Sequence, residues 1–231
     1  MTPIHLLKFD TPLKSGQIPI FRGAIVKEMG DYAHPLMHNH TENGLRFSYP
    51  LVQYKVFDGN AAIVAFGEVA YHIQEYFHMK NDEITLHFGK MKRACRLIEV
   101  EIQEYEFETT ESPNYYSITD YIPLTEENVT EYDNLMALTD KISFIESILT
   151  GNVISMFKGL NHYINERIVS VICSIENQHT IRYKGVNFRA FDLHFVSNAV
   201  LPDYIGLGKS TSIGMGIIQK EVLPENFAIR Y

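Results

Sequence analysis

The chain has 231 residues, of which 45% are hydrophobic and 21% charged. This composition is ordinary for a globular protein and excludes a disordered or collagen-like chain. No apolar run approaches the roughly 20 residues of a membrane-spanning helix, and the first residues do not resemble a signal peptide, so we expect no membrane partner. Cys95 and Cys173 lie far apart, which argues against a disulfide scaffold or a cysteine zinc site. We therefore expect a reduced, cytoplasmic protein.

The charge is distributed unevenly along the chain. Acidic residues outnumber Lys and Arg by 28 to 20, and the net charge of −8 by itself disfavours a nucleic-acid partner. However, 12 acidic residues lie between Leu97 and Asp140, where there is no Lys or Arg. The rest of the chain is mildly basic. The acidic stretch is therefore either a solvated surface or a flank that leaves another face free for a polyanion.

Strands and helices alternate in the first half of the predicted structure. Apolar and β-branched residues predict strands at 4–9, 51–57, 61–66, 84–88 and 95–107. Helical spacing of apolar residues predicts helices at 15–29 and 69–77. The Asp58-Gly59 pair between two strand-like runs predicts a tight hairpin. Between the helix predicted at 15–29 and the strand predicted at 51–57, the segment 30–44 is rich in turn-forming residues and predicts an irregular loop.

The second half predicts two long helices followed by strands. A stripe of apolar residues predicts a helix over 125–149, with Gly151 as its stop, and a second helix over 153–166. Strand-like runs follow at 168–175, 186–196 and 213–219, and a weak one precedes the helices at 115–118. This order predicts an α+β fold of two tandem ferredoxin-like (RRM-like) domains, at 1–112 and 113–231, the second partly degenerate.

A glycine-rich segment, GLGKSTSIGMG, lies at 206–216. It is not an ATPase phosphate loop, because that motif needs a glycine five positions before its Gly-Lys pair, where this chain has Asp203. Glycine amides together with a lysine and hydroxyl groups would suit a phosphodiester backbone. The alternative is a loop whose glycines serve only turns and tight packing.

Three of the ten histidines, His34, His38 and His40, lie within seven residues. Imidazole has an ordinary pKa of about 6.5, so a histidine pair can supply one base and one acid near neutral pH. A metal site is a second interpretation, although no HExxH motif or carboxylate of matching spacing supports zinc. Exposed histidines without a role are the third.

Three segments carry a resemblance to a known family. The first contains FRGAI at 21–25, HNH at 38–40 and YPLVQYK at 49–55; the second is GNVISMFKG at 151–159; the third is the complete GhG-x5-GhG pattern at 206–216, where h is hydrophobic. Together they resemble the CRISPR-associated endoribonucleases of the Cas-six family, b subtype, which process precursor CRISPR RNA. The segments span most of the chain in the expected order.

The resemblance implies RNA cleavage without a metal or cofactor. The 2′-hydroxyl attacks the neighbouring phosphate, which leaves a 2′,3′-cyclic phosphate and a 5′-hydroxyl. Such chemistry needs a base, an acid and donors to the charged phosphorane. The family's catalytic histidine falls in the loop after the first helix, which implies His40 as the main acid–base residue and His38 as its partner. Tyr49 or Lys55 is expected to donate to the phosphate or to orient a histidine.

The resemblance also implies that the glycine loop holds the RNA backbone. The expected RNA-binding residues are Gly206, Gly208, Lys209, Ser210, Ser212, Gly214, Lys55, Arg182 and Lys184. For Arg182 and Lys184, an exposed hairpin tip is an equally simple interpretation. The implied partner is CRISPR repeat RNA, with subunits of a CRISPR effector complex or a second copy of the chain as further partners.

Two other functions are compatible with the same fold. One is a non-cleaving RNA-binding subunit in which the histidines are idle. The other is a ferredoxin-like enzyme that uses the histidines to bind a small molecule or a metal. Fold class does not separate these functions, because ferredoxin-like domains host many activities. The acidic composition argues against tight, salt-sensitive RNA binding, but a structured RNA can be recognised by shape with few charges.

Overall fold

The computed structural model describes residues 1–33, 40–41, 44–45 and 49–222, with the backbone alone at 40–41 and 44–45. The chain divides into two compact units. Unit 1 is Met1–Glu106 with two later segments, Lys158–Asn161 and Thr211–Gly214, and unit 2 is the remainder from Phe107. The domain boundary predicted after residue 112 lies inside a strand of unit 2 that spans Thr109–Tyr121.

Unit 1 is an antiparallel sheet with two helices. In chain order its elements are β1 (Thr2–Pro12), α1 (Ile18–Met29), β2 (His40–Thr41), β3 (Gly44–Leu45), β4 (Val52–Phe57), β5 (Asn60–Phe66), α2 (Glu68–Met79), β6 (Glu83–Phe88) and β7 (Met91–Tyr105). The five-stranded sheet has the order β4-β5-β1-β7-β6, and β2 pairs with β3. Four of the five strands follow ferredoxin-like order, and β6 is an added edge strand.

Local sequence explains how this sheet is built. Asp58 and Gly59 both have positive φ, at 47° and 76°, which confirms the hairpin predicted between β4 and β5. On the central strand, the Phe9 ring lies 6.0 Å from the Phe21 ring of α1 and 4.9 Å from the Phe77 ring of α2. Phe9 thereby joins both helices to one face of the sheet.

Unit 2 repeats the same strand order with one helix missing. Its elements are β8 (Thr109–Tyr121), α3 (Val129–Asn134), α4 (Leu138–Gly159), β9 (Ser170–Tyr183), β10 (Val186–Ala199) and β11 (Ile217–Glu221). The sheet order β11-β8-β10-β9 is ferredoxin-like. Where a second helix would connect β10 to β11, the described chain instead has the glycine-rich loop with a short 3-10 turn, Thr211–Ile213. The α+β fold of two tandem domains, with a degenerate second domain, is thus confirmed.

The helical region differs from its prediction in two ways. The stretch predicted as one helix over 125–149 is a short α3 followed by α4, and α4 continues through Gly151 to Gly159. Leu149 and Val153 are fully buried on either side of that glycine, so packing carries the helix past a residue of low helix propensity. No helix in the described residues is long and apolar enough to cross a membrane.

Candidate functional site

Main-chain hydrogen bonds fold the glycine-rich loop back on itself. The Leu207 N–H donates to the Gly216 carbonyl at 2.9 Å, and the Ile218 N–H donates to the Ile205 carbonyl at 2.9 Å. Gly206 and Ile217 form an antiparallel bridge between them. The two arms of the loop are therefore pinned side by side in unit 2.

Two glycines of the loop sit where no side chain fits. Gly216 has φ +64°, and a Cβ there would lie 1.9 Å from the Leu207 carbonyl oxygen. Gly208 has φ +86°, and its Cβ would lie 2.8 Å from the Tyr121 ring and 2.9 Å from the Ile122 carbonyl oxygen. Close backbone approach and left-handed geometry both require glycine. Tight packing thus accounts for these two positions.

Two main-chain carbonyls, one at the end of β8 and one just after it, anchor the loop. The Gly216 N–H donates to the Asp120 carbonyl at 3.1 Å, and the Lys209 N–H donates to the Ile122 carbonyl at 3.0 Å. The Leu207 N–H also donates to a main-chain carbonyl. The main-chain N–H groups of Leu207, Lys209 and Gly216 are therefore already hydrogen-bonded within the protein. Contacts to a phosphodiester backbone would therefore come largely from side chains of the loop.

The basic side chains of unit 2 lie on the loop and on the β9–β10 hairpin. The Lys209 ammonium lies 4.6 Å from the centroid of the Phe188 ring of β10. Lys184 and Gly185 form the hairpin turn with φ of 49° and 82°. Arg182 and Lys184 are exposed, as the prediction of a hairpin tip requires. Their contact with RNA stays a prediction.

The short segment Thr211–Gly214 packs within unit 1. The Arg22 guanidinium of α1 donates from Nη1 to the Ser212 Oγ at 3.4 Å. Gly214 has φ +89°, and a Cβ there would lie 2.6 Å from Ile18 Cδ1 and 3.2 Å from the Tyr54 carbonyl oxygen. Arg22 stands in the FRGAI segment but received no predicted role, and the structure places it beside Ser212.

The predicted catalytic histidines are only partly described. His38 lies outside the described residues. The backbone of His40 forms β2 and pairs with Leu45 of β3. The backbone of His40 therefore belongs to a two-residue strand that lies between α1 and β4 in the chain. The acid–base roles of both histidines stay predictions.

Tyr49 lies half-buried in unit 1. Its ring packs edge-on against the Phe66 ring at 5.8 Å between centroids. Gly159 approaches it so closely that a Cβ on the glycine would lie 2.4 Å from the Tyr49 Cβ. Two segments of the family resemblance, 49–55 and 151–159, thus meet at this tyrosine.

Lys55 is buried, which was not expected of an RNA contact. It lies on β4 with 0% exposure, and its Nζ has no hydrogen-bond partner in the part of the chain that the structure describes. Burial lowers the pKa of Lys55 to about 7. A side chain without exposed surface cannot reach RNA in this conformation, so we leave Lys55 out of the proposed RNA contacts.

Lys55 is expected to make stability depend on pH. Its folded-state pKa is about 7, below the ordinary 10.5, so between these values the unfolded chain binds more protons than the folded one. The free energy of unfolding should therefore rise with pH across this window, by at most about 1.4 kcal/mol per pH unit from this group. Lys55→Met should remove that rise and stabilise the protein most below neutral pH, as measured by urea unfolding across the window.

Lys27→Met is the matched control for this lysine. Lys27 is exposed on α1, and its replacement should leave the pH dependence of unfolding unchanged. If Lys55→Met unfolds with the same pH dependence as the wild type, Lys55 titrates normally in the folded protein.

Both halves of the chain match models of one protein family. Residues 2–106 match the Cas6b N-terminal domain, and residues 108–221 match the Cas6b C-terminal domain. An uncharacterized protein of Methanocaldococcus jannaschii is 34% identical over 104 residues, which are 45% of this chain and 69% of that protein.

Solved structures share the fold along nearly the whole chain. A crystal structure of Cas6b matches with a TM-score of 0.80 at 24% identity, and one of the CRISPR RNA processing endoribonuclease Cas6b matches with 0.71 at 23%. Both comparisons cover 96% of this chain and 100% of the other. A type IV Cas6 crRNA endonuclease, Csf5, follows with 0.60 at 15% identity, covering 95% and 100%. Since the two domain models together cover most of the chain, it belongs to the Cas6b family.

Proposed function

We propose that this chain is an endoribonuclease that cuts precursor CRISPR RNA within the repeat. One observation carries the proposal: both domains of the Cas6b family are matched in order, over 2–106 and 108–221. A structure with the same fold is that of a CRISPR RNA processing endoribonuclease. The glycine loop adds support, since main-chain hydrogen bonds hold its two ends side by side in unit 2.

The proposed reaction is proton transfer around one phosphodiester. A base takes the proton of the 2′-hydroxyl as O2′ bonds to phosphorus, and an acid gives a proton to O5′ as the P–O5′ bond breaks. The products are a 2′,3′-cyclic phosphate and a 5′-hydroxyl. His40 and His38 are the proposed acid–base pair, and Tyr49 is the proposed donor to the phosphate or to a histidine.

Side chains of the loop and hairpin are the proposed RNA contacts. Lys209, Ser210 and Ser212 offer a cation and hydroxyls, and Gly206 is a proposed backbone contact. Gly208 and Gly214, which have positive φ, let the backbone follow its bent path. Arg22, beside Ser212, joins this set because a guanidinium suits phosphate oxygens. Arg182 and Lys184 are the proposed contacts of the exposed hairpin. Effector-complex subunits or a second copy of the chain are the proposed protein partners.

Cleavage in the presence of EDTA tests the proposal. The purified protein should cut labelled repeat RNA from its host's own CRISPR arrays at an unchanged rate in excess EDTA. The upstream product should end in a 2′,3′-cyclic phosphate, and RNA with a 2′-deoxy nucleotide at the scissile position should bind without being cut. Cleavage that stops in EDTA and returns with added metal would contradict the metal-independent mechanism. Binding of the unmodified RNA without cleavage would instead identify a non-cleaving RNA-binding subunit.

A further inference from the structure

We propose that Asp120, His179 and Asp192 form a positioning triad that holds the glycine loop in the path it needs to bind RNA. The proposal rests on the proposed function, because RNA binding by the loop is its readout. All three residues belong to unit 2, on β8, β9 and β10. They lie far apart in sequence and are brought together by strand pairing.

The triad surrounds a β-bulge in β8. Tyr121 pairs with Phe191 and Ile118 pairs with Leu193, so the two intervening residues of β8 face Asp192 alone. Asp120 is the second of those two residues and has φ 53°. A bulge bends its strand and changes where the following residues point. Here it lies at the point where β8 meets the glycine loop.

Side chains rather than a glycine stabilise this left-handed residue. Asp192 Oδ1 accepts the Asp120 main-chain N–H at 2.8 Å, and His179 Nε2 donates to Asp120 Oδ1 at 2.8 Å. The second oxygen of Asp192 accepts from Asn177 Nδ2 at 3.2 Å. The side chains of Asp120, His179 and Asp192 are partly buried. Hydrogen bonds to a carboxylate are among the stronger ones in proteins. Asp192 therefore holds the Asp120 backbone, and His179 holds the Asp120 side chain.

The bulge determines where the loop is anchored. The Asp120 carbonyl accepts the N–H of Gly216, and the Ile122 carbonyl, two residues later, accepts the N–H of Lys209. Relaxing Asp120 to an extended conformation would turn both carbonyls and release both arms of the loop. The triad thus acts on RNA through the loop, without touching RNA itself.

The same three side chains have metal-ligating groups within 4.8 Å of one another. Their orientation favours hydrogen bonding over a shared cation. His179 Nε2 lies 2.8 Å from Asp120 Oδ1, whereas His179 Nδ1 lies 3.7 Å from Asp192 Oδ2. The two carboxylates thus face different ring nitrogens rather than converging on one. We therefore assign the group a positioning role.

Variants of Asp192 and Asp120 test the triad. Asp192→Ala should weaken binding of the 2′-deoxy repeat RNA by about tenfold, since the partly buried Asp120 N–H loses a charged acceptor, while cleavage at saturating protein stays near the wild-type rate. Asp192→Asn keeps an acceptor oxygen and should restore most of the affinity. Asp120→Gly should lose less affinity than Asp120→Ala, because glycine tolerates the positive φ. Hydrogen exchange at the Gly216 and Lys209 amides should rise in Asp192→Ala.

Asp133→Ala is the matched control, since Asp133 also lies in unit 2 and pairs with Arg189 at 2.7 Å on the surface. The proposal is overturned if Asp192→Ala changes affinity and amide exchange no more than this control. It is also overturned if EDTA alone raises the exchange of the wild type, because a cation would then hold the loop. Should the wild type bind no repeat RNA, the proposed function fails, and amide exchange alone decides whether the triad anchors the loop.

Discussion

Replacing His40 with alanine is expected to slow RNA cleavage by roughly 10²–10⁴-fold, the usual contribution of a general acid or base. His38→Ala should also slow cleavage, and the double variant should show no measurable cutting. RNA affinity should change little, because the imidazoles are proposed to move protons rather than to hold the backbone. The measurement is the single-turnover rate at saturating protein in EDTA, with affinity determined separately on the 2′-deoxy RNA.

His78→Ala provides the control for this experiment. The His78 side chain is 86% exposed on α2, and its loss should leave both cleavage and binding unchanged. If the His40→Ala variant cleaves RNA at the wild-type rate, His40 is not the acid–base residue. A variant that loses binding along with cleavage would show that the imidazole positions RNA instead.

Gly216→Ala is expected to destabilise the protein by about 3 kcal/mol or more and to abolish RNA binding by the loop. The new Cβ would lie 1.9 Å from the Leu207 carbonyl oxygen and 3.0 Å from its carbon. These are backbone atoms, which cannot rotate away as a side chain does. The φ of +64° adds further strain for any residue other than glycine. Urea unfolding and RNA affinity measure the two effects.

A second glycine gives the opposite expectation. Gly151 is exposed inside α4, and a Cβ there would meet nothing within 4 Å. Gly151→Ala should stabilise the protein by about 0.5–1 kcal/mol, since alanine is the better helix former. If Gly216→Ala has the same stability and RNA affinity as Gly151→Ala, the loop can accommodate a side chain at position 216. That result would contradict the steric argument from the close approach to Leu207.

Features coded by neighbouring residues were predictable from sequence. Asp58-Gly59 specifies its hairpin because both positions accept positive φ. The GhG-x5-GhG pattern located the loop at 206–216, and its spacing excluded an ATPase. The hairpin contacts lie within a few residues of their signal, and the position of the loop follows from its glycine spacing alone, although its anchoring to Asp120 and Ile122 does not.

Features that depend on tertiary packing were not predictable. Gly151 predicted a helix end, but the buried residues around it continue α4 to Gly159. The stretch 115–118 predicts only a weak strand, yet β8 spans Thr109–Tyr121 and pairs on both sides as an inner strand of its sheet. Tertiary packing in α4 and long-range strand pairing in β8 overrode local propensity.

In the candidate site, too, the features that depend on tertiary packing were not predictable from sequence. Lys55 alternates with apolar neighbours and was expected to reach RNA, but the strand is buried on both faces and encloses the lysine. Asp120, His179 and Asp192 offer no sequence signal, since each comes from a different strand. Arg22 lies in the FRGAI segment of the family resemblance, but only the position of Ser212 indicates what it touches.

The replacement of a helix by a loop in unit 2 has a consequence for divergence within the family. A helix needs a continuous apolar stripe, whereas this loop is specified by a few glycines and by carbonyl groups that every residue possesses. If the loop binds RNA as proposed, exchanging the lysine and hydroxyl residues between the glycines would leave this scaffold in place. A different RNA repeat would then require changes to a handful of side chains.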